Sequence, residues 1–344
     1  MEKLTKITQP IFLIALVIGL LIVLKGFLIP FSYGLLIALI IYPICKKLEN
    51  KRIPRSVAIF ISIFIVMLVL GCVIFIFILQ IKVLEKEIPE LLIRFNVFLS
   101  DIQKWLVTNW GLSIIEQDNL ISSTEKNLST NIGKIITGSF SIAADTLFNI
   151  VVIPLYSILI LYYRNILVDF VSALFGEKYI KNIPAILSET IHVYYNYIKG
   201  MVWVYFIVGI LNSIGLLLLG VDYAILLGMA TAFMTIIPYV GIIISSILPI
   251  SLVWIETDNI LYPLGVIGIF SIVQYLEANI IFPYIVGKQL GVNALVSITS
   301  IFIGGIIWGM SGMILFLPFV ALLKIISAHV EILKPIHRLL NIPK

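Results

Sequence analysis

The chain reads as an all-α polytopic membrane protein with about 7–8 transmembrane helices plus broken or re-entrant helices in its C-terminal half. Three observations predict this. The 344 residues are 61% hydrophobic and 12% charged, against about 45–50% apolar and 25% charged in soluble domains. Several apolar runs exceed the roughly 18 residues that mark a spanning helix. The runs are continuous, whereas a membrane β-barrel would alternate apolar and polar positions. The net charge of +5 does not imply a nucleic-acid partner, because Lys and Arg in such chains collect on the cytoplasmic side.

Elements follow in order. Lys3 and Lys6 precede the apolar run Ile11–Leu24, an arrangement shared with signal peptides. No small-residue cleavage site follows, so the run reads as a first span, about 11–28. A second span, about 31–45, is expected after a break near Pro30. Lys46, Lys47, Lys51, Arg52 and Arg55 face one acid, Glu49. This basic loop predicts a cytoplasmic position, and with two spans before it the N-terminus is expected there too. Residues 1–80 thus form an N-terminal unit whose third span is the charge-free run Ser56–Leu79.

Residues 81–138 read as an extracytoplasmic insert. Leu84, Ile88, Leu91, Phe95, Phe98, Ile102 and Trp105 alternate spacings of four and three, one apolar helical stripe. It suits either a helix on the membrane surface or a subunit contact, with Pro89 kinking or starting it. Residues 139–200 hold a fourth span, about 140–163, and two amphipathic helices divided at Pro184. Cys45 and Cys72 read as buried thiols, and His192, His329 and His337 as structural or surface residues.

Residues 201–328 carry the unusual features. Met201–Val221 is a fifth span. Tyr223–Ile255 holds 33 residues without a charge and contains Pro238, Gly241 and Pro249. One helix of that length would run about 50 Å, against a hydrocarbon core of about 30 Å. The run must break near Ile237–Gly241, and broken helices at membrane depth belong where they pack in protein or line a wet cavity. Gln289–Leu323 is a second charge-free run, of 35 residues, expected to form two short packed helices or a hairpin. Gly305 and Gly309 have the small-xxx-small spacing of helix packing. Residues 329–344 read as a cytoplasmic tail. Pro238-Tyr-Val-Gly241 and Pro283-Tyr-Ile-Val-Gly287 resemble each other enough to raise an inverted repeat.

Between these runs, residues 260–282 form a span containing Gln274, Glu277 and Asn279. Gln274 and Glu277 are three apart and share a helix face; Asn279 is offset from it. A carboxylate at that depth is costly and should face protein or water. Glu277 therefore either binds a proton, cation or polar substrate, or pairs with Lys288 and caps a broken helix. Pro238 and Gly241 are expected hinges, with Pro283 and Gly287 a second break. Asn212 and Ser213 suit interhelical hydrogen bonds, with Asn212 also placed on a possible path. No zinc-protease, phosphate-binding or nucleophile-elbow motif occurs. The chain is not expected to be an enzyme, to need a cofactor or to bind a metal.

The motifs Tyr197-Ile-Lys-Gly200, Ile237-Pro-Tyr-Val-Gly241, Gln274-x-x-Glu277-x-Asn279, Pro283-x-x-x-Gly287-Lys288 and Gly304-Gly305…Trp308-Gly309…Gly312…Pro318 occur in order. Together they resemble the autoinducer-2 exporter family of bacterial membrane proteins, over nearly the whole chain. The resemblance implies re-entrant elements, a homo-oligomer, a cytoplasmic-membrane location and export of a small polar molecule, including the quorum-sensing signal autoinducer-2, coupled to H+ or Na+. Some relatives look like sodium/proton antiporters. A sporulation-associated branch, for which a non-transporting scaffold is an alternative, is also similar. The chain departs from the pattern at Met201, where glutamine is common, and at Ile242, where proline or asparagine is common.

Overall fold

A computed structural model describes residues 2–110, 149–175, 181–236, 240–257, 259–286 and 289–341. Five of the described helices are long and apolar enough to cross a membrane, or six if one bent pair is a single span. Three shorter apolar helices accompany them. The chain is an all-α polytopic membrane protein. Its outward side chains agree: Phe60, Phe64, Leu68, Trp203 and Phe302 are all exposed, a surface that lipid solvates and water does not.

Helix α1 (Glu2–Val23) is followed at Leu24 by α2 (Lys25–Asn50). The expected break near Pro30 thus falls earlier, and Pro30 lies inside α2. So close to the helix start, a missing N–H costs a single backbone bond. Helix α3 (Arg55–Trp110) is one helix of 56 residues, about 84 Å of rise. The striped segment expected to be separate is therefore a continuation of the third span, and the helix runs through Pro89 to Trp110. Residues 111–138, the rest of the expected insert, lie outside the described residues, as do 139–148 at the start of the fourth span. Cys45 is buried against Ala58, but Cys72 is exposed on the apolar face of α3, which corrects its reading as buried. Ala38, Ile41, Ile59, Ile63 and Leu161 bind α2, α3 and α4 (Asn149–Tyr162) into one core.

Helix α5 (Arg164–Phe175) leaves α4 at an angle of 71°. Polar contacts hold the bend. Arg55 Nη2 donates to the Leu161 carbonyl at 2.8 Å, capping an acceptor at the end of α4. Arg164 Nη2 meets Glu49 Oε2 at 2.7 Å, and its guanidinium lies 5.2 Å from the Tyr42 ring centroid.

Helix α6 (Ile183–Leu218) is a single helix of 36 residues. The second amphipathic helix and the fifth span are therefore continuous, and Pro184 starts α6 at a position where its missing N–H does no harm. A turn through Gly220 and Tyr223, both at positive φ, sends α7 (Ala224–Met234) back along α6. Helix α8 (Val240–Thr257) then reverses again. The 33-residue charge-free run is thus two helices. Pro238 lies outside the described residues. Gly241 sits at the reversal, where any Cβ would collide with the Met234 carbonyl. Helix α9 (Leu261–Leu276) packs on α6, α7 and α8 through Leu216, Leu227, Leu252, Val266 and Phe270.

Helices α11 (Ala294–Trp308) and α12 (Met310–His329) form a second hairpin, as the 35-residue run requires. The expected packing pair is corrected in detail. Gly304 and Gly312 face each other, each backbone filling the space of the other's Cβ. A Cβ at Gly305 would instead meet the Met313 side chain, 2.8 Å away, and Gly309 forms the turn at φ 61, ψ −140. That backbone conformation suits glycine and no branched residue. Residues 331–340 are not an open tail. A 3₁₀ turn (Glu331–Leu333) leads to α13 (Lys334–Leu340), whose Leu339 carbonyl accepts from Asn293, the N-cap of α11.

Candidate functional site

Glu277 opens a π-helical turn, Glu277–Ile281, that joins α9 to α10 (Phe282–Ile285). The local cause is Pro283. It has no N–H, and in an α-helix its ring would press on the Asn279 carbonyl. Widening to a π turn relieves this, and the Phe282 N–H bonds back to the Glu277 carbonyl. The helix is therefore widened ahead of Pro283 and continues to Ile285. Gly287 and Lys288 lie outside the described residues. Isolated π turns in α-helices frequently mark functional positions.

Helix α6 covers this turn. Tyr197, Met201, Val204 and Val208 of α6 pack with Val273, Ile281, Phe282 and Val286 around the π segment, and Ala232 of α7 closes the group. Within this apolar setting four side-chain polar atoms are buried and have no hydrogen-bond partner among the described residues: Glu277 Oε2, Gln274 Oε1, Tyr205 O–H and Asn212 Oδ1. Glu277 is 8% exposed, Tyr205 7% and Asn212 1%. Tyr205 lies within electrostatic reach of both Glu277 and Tyr197. Native proteins seldom leave such groups unpaired, because each costs about 1–3 kcal/mol. Two of these atoms lie on α6, one on α9 and one on the π turn.

The structure brings together part of the predicted set. Gln274 and Glu277 share the buried face as expected. Asn212 lies on the facing helix, two turns beyond Tyr205. Asn279 does not join them: it is exposed, and its Nδ2 donates to the Tyr275 carbonyl of its own helix at 2.9 Å. We expect Asn279→Ala to leave transport within about twofold of wild type, since exposed substitutions away from special features change little; initial uptake rates in vesicles check this. Ser213 Oγ donates to the Gly209 carbonyl of its own helix at 2.7 Å and lies 3.4 Å from the Ile225 carbonyl of α7.

Two groups escaped the sequence. Tyr205 was hidden in an apolar span; its spacing of seven from Asn212, two helical turns, was the available signal. The second is the cluster of Glu49, Arg164, Tyr42 and Arg55, where residues over a hundred positions apart meet at the α4–α5 bend.

Comparison with known proteins agrees with this architecture. A family model described as AI-2E family transporter matches residues 11–332. The chain is 25% identical over 313 residues to YrrI of Bacillus subtilis (strain 168), covering 90% of this chain and 88% of that protein. It is 27% identical over 316 residues to YueF of the same organism, covering 85% and 82%. A relative from the archaeon Methanothermobacter thermautotrophicus is 25% identical over 294 residues, covering 81% of each. All three carry the name of candidate transport proteins.

Proposed function

The chain belongs to the AI-2E family of transporters, and from that premise we propose that it is a secondary transporter exporting a small polar organic molecule of the autoinducer-2 class by alternating access. The observation that carries this reading is the buried Glu277 carboxylate, whose Oε2 has no partner among the described residues, on a π turn within electrostatic reach of Tyr205. A carboxylate in that position can take up and release a proton while polar atoms beside it hold a hydroxylated guest. Gln274, Glu277, Asn212 and Tyr205 form the polar site. Asn279 stays outside it, although its motif suggested otherwise. The α7–α8 reversal, where Gly241 sits, acts as one gate together with Pro238, and Pro283 with Gly287 as the second. The C-terminal unit, with the whole of α6, moves against the rest.

The positive-inside pattern supports cytoplasmic N- and C-termini in a bacterial cytoplasmic membrane. The chain works as a homo-oligomer, with α3 beyond residue 80 as the subunit contact. A sodium/proton antiporter is the second reading. It is favoured by the acceptor-only character of an ionised Glu277, beside which no side-chain cation stands among the described residues.

Flux into and out of proteoliposomes under an imposed proton gradient separates the readings. Glu277-dependent movement of labelled autoinducer-2 supports the exporter. Sodium flux alone moves the chain to the antiporter class. Silence with both, from inserted protein, favours a sporulation scaffold or a different substrate.

A further inference from the structure

A cavity of about 620 Å³ lies away from the Glu277 site, bounded by α2, α4, α5, α6 and α12. Its size falls in the range of about 300–1,000 Å³ typical of small-molecule sites. Its wall is mainly aliphatic, with Leu35, Leu39, Ile183, Ile186, Leu322 and Ile326 among the lining side chains. Its polar groups are few. Tyr42 and Arg164 stand together at the α4–α5 bend, next to Asn165, with Asp169 one turn further along α5 and Thr190 on α6. The Thr190 hydroxyl is already spent on the Ile186 carbonyl at 2.7 Å. Thr190 and Tyr205 are fifteen residues apart on α6, about 22 Å of rise, so the cavity is separate from the transport site.

Arg164 gives the cavity its chemistry. Its Nη2 is engaged by Glu49, while its Nη1 is buried and has no partner among the described residues. Arg164 nevertheless lines the cavity with part of its side chain accessible, and an arginine held by one carboxylate and stacked on a ring keeps its guanidinium in a fixed orientation. Such a donor wants an acceptor oxygen. The aliphatic wall wants a hydrocarbon chain. One molecule meeting both demands is an amphiphile with an oxygen-rich head.

The surroundings identify where it comes from. Helix α5 turns 71° away from α4, and its Ile166, Phe170 and Leu174 are 63%, 62% and 66% exposed. A helix with one apolar outward face and Asn165 and Asp169 on its inner face is of the kind that lies in the membrane interface. The cavity therefore sits beneath an interfacial helix, beside the lipid. We infer that this cavity is a phospholipid site: one acyl chain enters between α2, α6 and α12, and a phosphate or ester oxygen of the head accepts from the accessible part of the Arg164 guanidinium. Asp169 disfavours a second negative charge close to α5, so a head with a single phosphate charge is the fit.

The test uses the full-length protein in liposomes containing doxyl-labelled phosphatidylglycerol, read by electron paramagnetic resonance. Wild type gives a motionally restricted component. Arg164→Gln weakens its affinity about tenfold, as loss of one charge-assisted hydrogen bond implies. Ile186→Trp fills the cavity and lowers the component to that of boundary lipid alone, while its thermal midpoint shows that the fold is kept. This second variant covers the case in which Arg164→Gln, by freeing Glu49, disturbs folding. An undiminished restricted component in Ile186→Trp overturns the inference. So does a component seen with doxyl-stearic acid and not with the phospholipid, which assigns the cavity to a free acid.

Discussion

Glu277→Gln abolishes gradient-driven flux while the protein still inserts and keeps its thermal stability. The substitution retains size and hydrogen-bonding shape but removes the group that can gain and lose a proton. Its stability should hold, because Glu277 makes no ion pair among the described residues for the change to break. Transport should fall to the level of empty liposomes under a proton gradient. Exchange of labelled substrate without a gradient should persist, since the proposed site also holds Gln274, Asn212 and Tyr205. That contrast separates a coupling role from a merely structural one. Tyr205→Phe should do the opposite, weakening substrate affinity and leaving coupling intact. Wild-type gradient-driven rates in the Glu277 variant would remove this carboxylate from the mechanism.

Gly312→Val should be the most damaging single change to the fold. Its Cβ would fall inside contact distance of the Gly304 carbonyl, and this is backbone against backbone, which no rotamer change relieves. Overpacking generally costs about 1–3 kcal/mol and occasionally more; here the upper end or beyond is expected. Gly305→Val is the informative comparison, because the atom it meets is the Met313 methyl at 2.8 Å, the end of a flexible side chain. A thermal midpoint for Gly312→Val well below that of Gly305→Val, measured in detergent, is the expected order. The reverse order would show that α11 and α12 can part without loss of the fold.

Much of the architecture was legible because bilayer physics acts on composition and length. A span needs an apolar run, and a charge-free run of 33 or 35 residues must turn. Hence both hairpins, α7–α8 and α11–α12, could be anticipated from residue counts. Boundaries were less legible. Proline predicts a break only on average, and here Pro30, Pro89 and Pro283 all lie within helical segments, while Pro184 begins one. The stripe from Leu84 to Trp105 was read as helical but not as part of α3, because a change in polarity at residue 80 looks the same whether a helix ends or simply leaves the membrane.

The site divides in the same way. Gln274 and Glu277 could be paired from a spacing of three, a property of one helix. Asn279 was already offset from that face by spacing, and it is exposed with its amide bonded to Tyr275 of its own helix. Among the glycines, spacing favoured Gly305 and Gly309, yet Gly304 and Gly312 are the ones in contact, since pairing across a hairpin depends on where the turn sits. Composition and charge pattern alone determined that this chain crosses a membrane as helices, and where its long runs must break. Only the tertiary structure decided that Tyr205 comes within electrostatic reach of Glu277 and that Arg164 meets Glu49, because those contacts join segments whose separation along the chain carries no periodic signal.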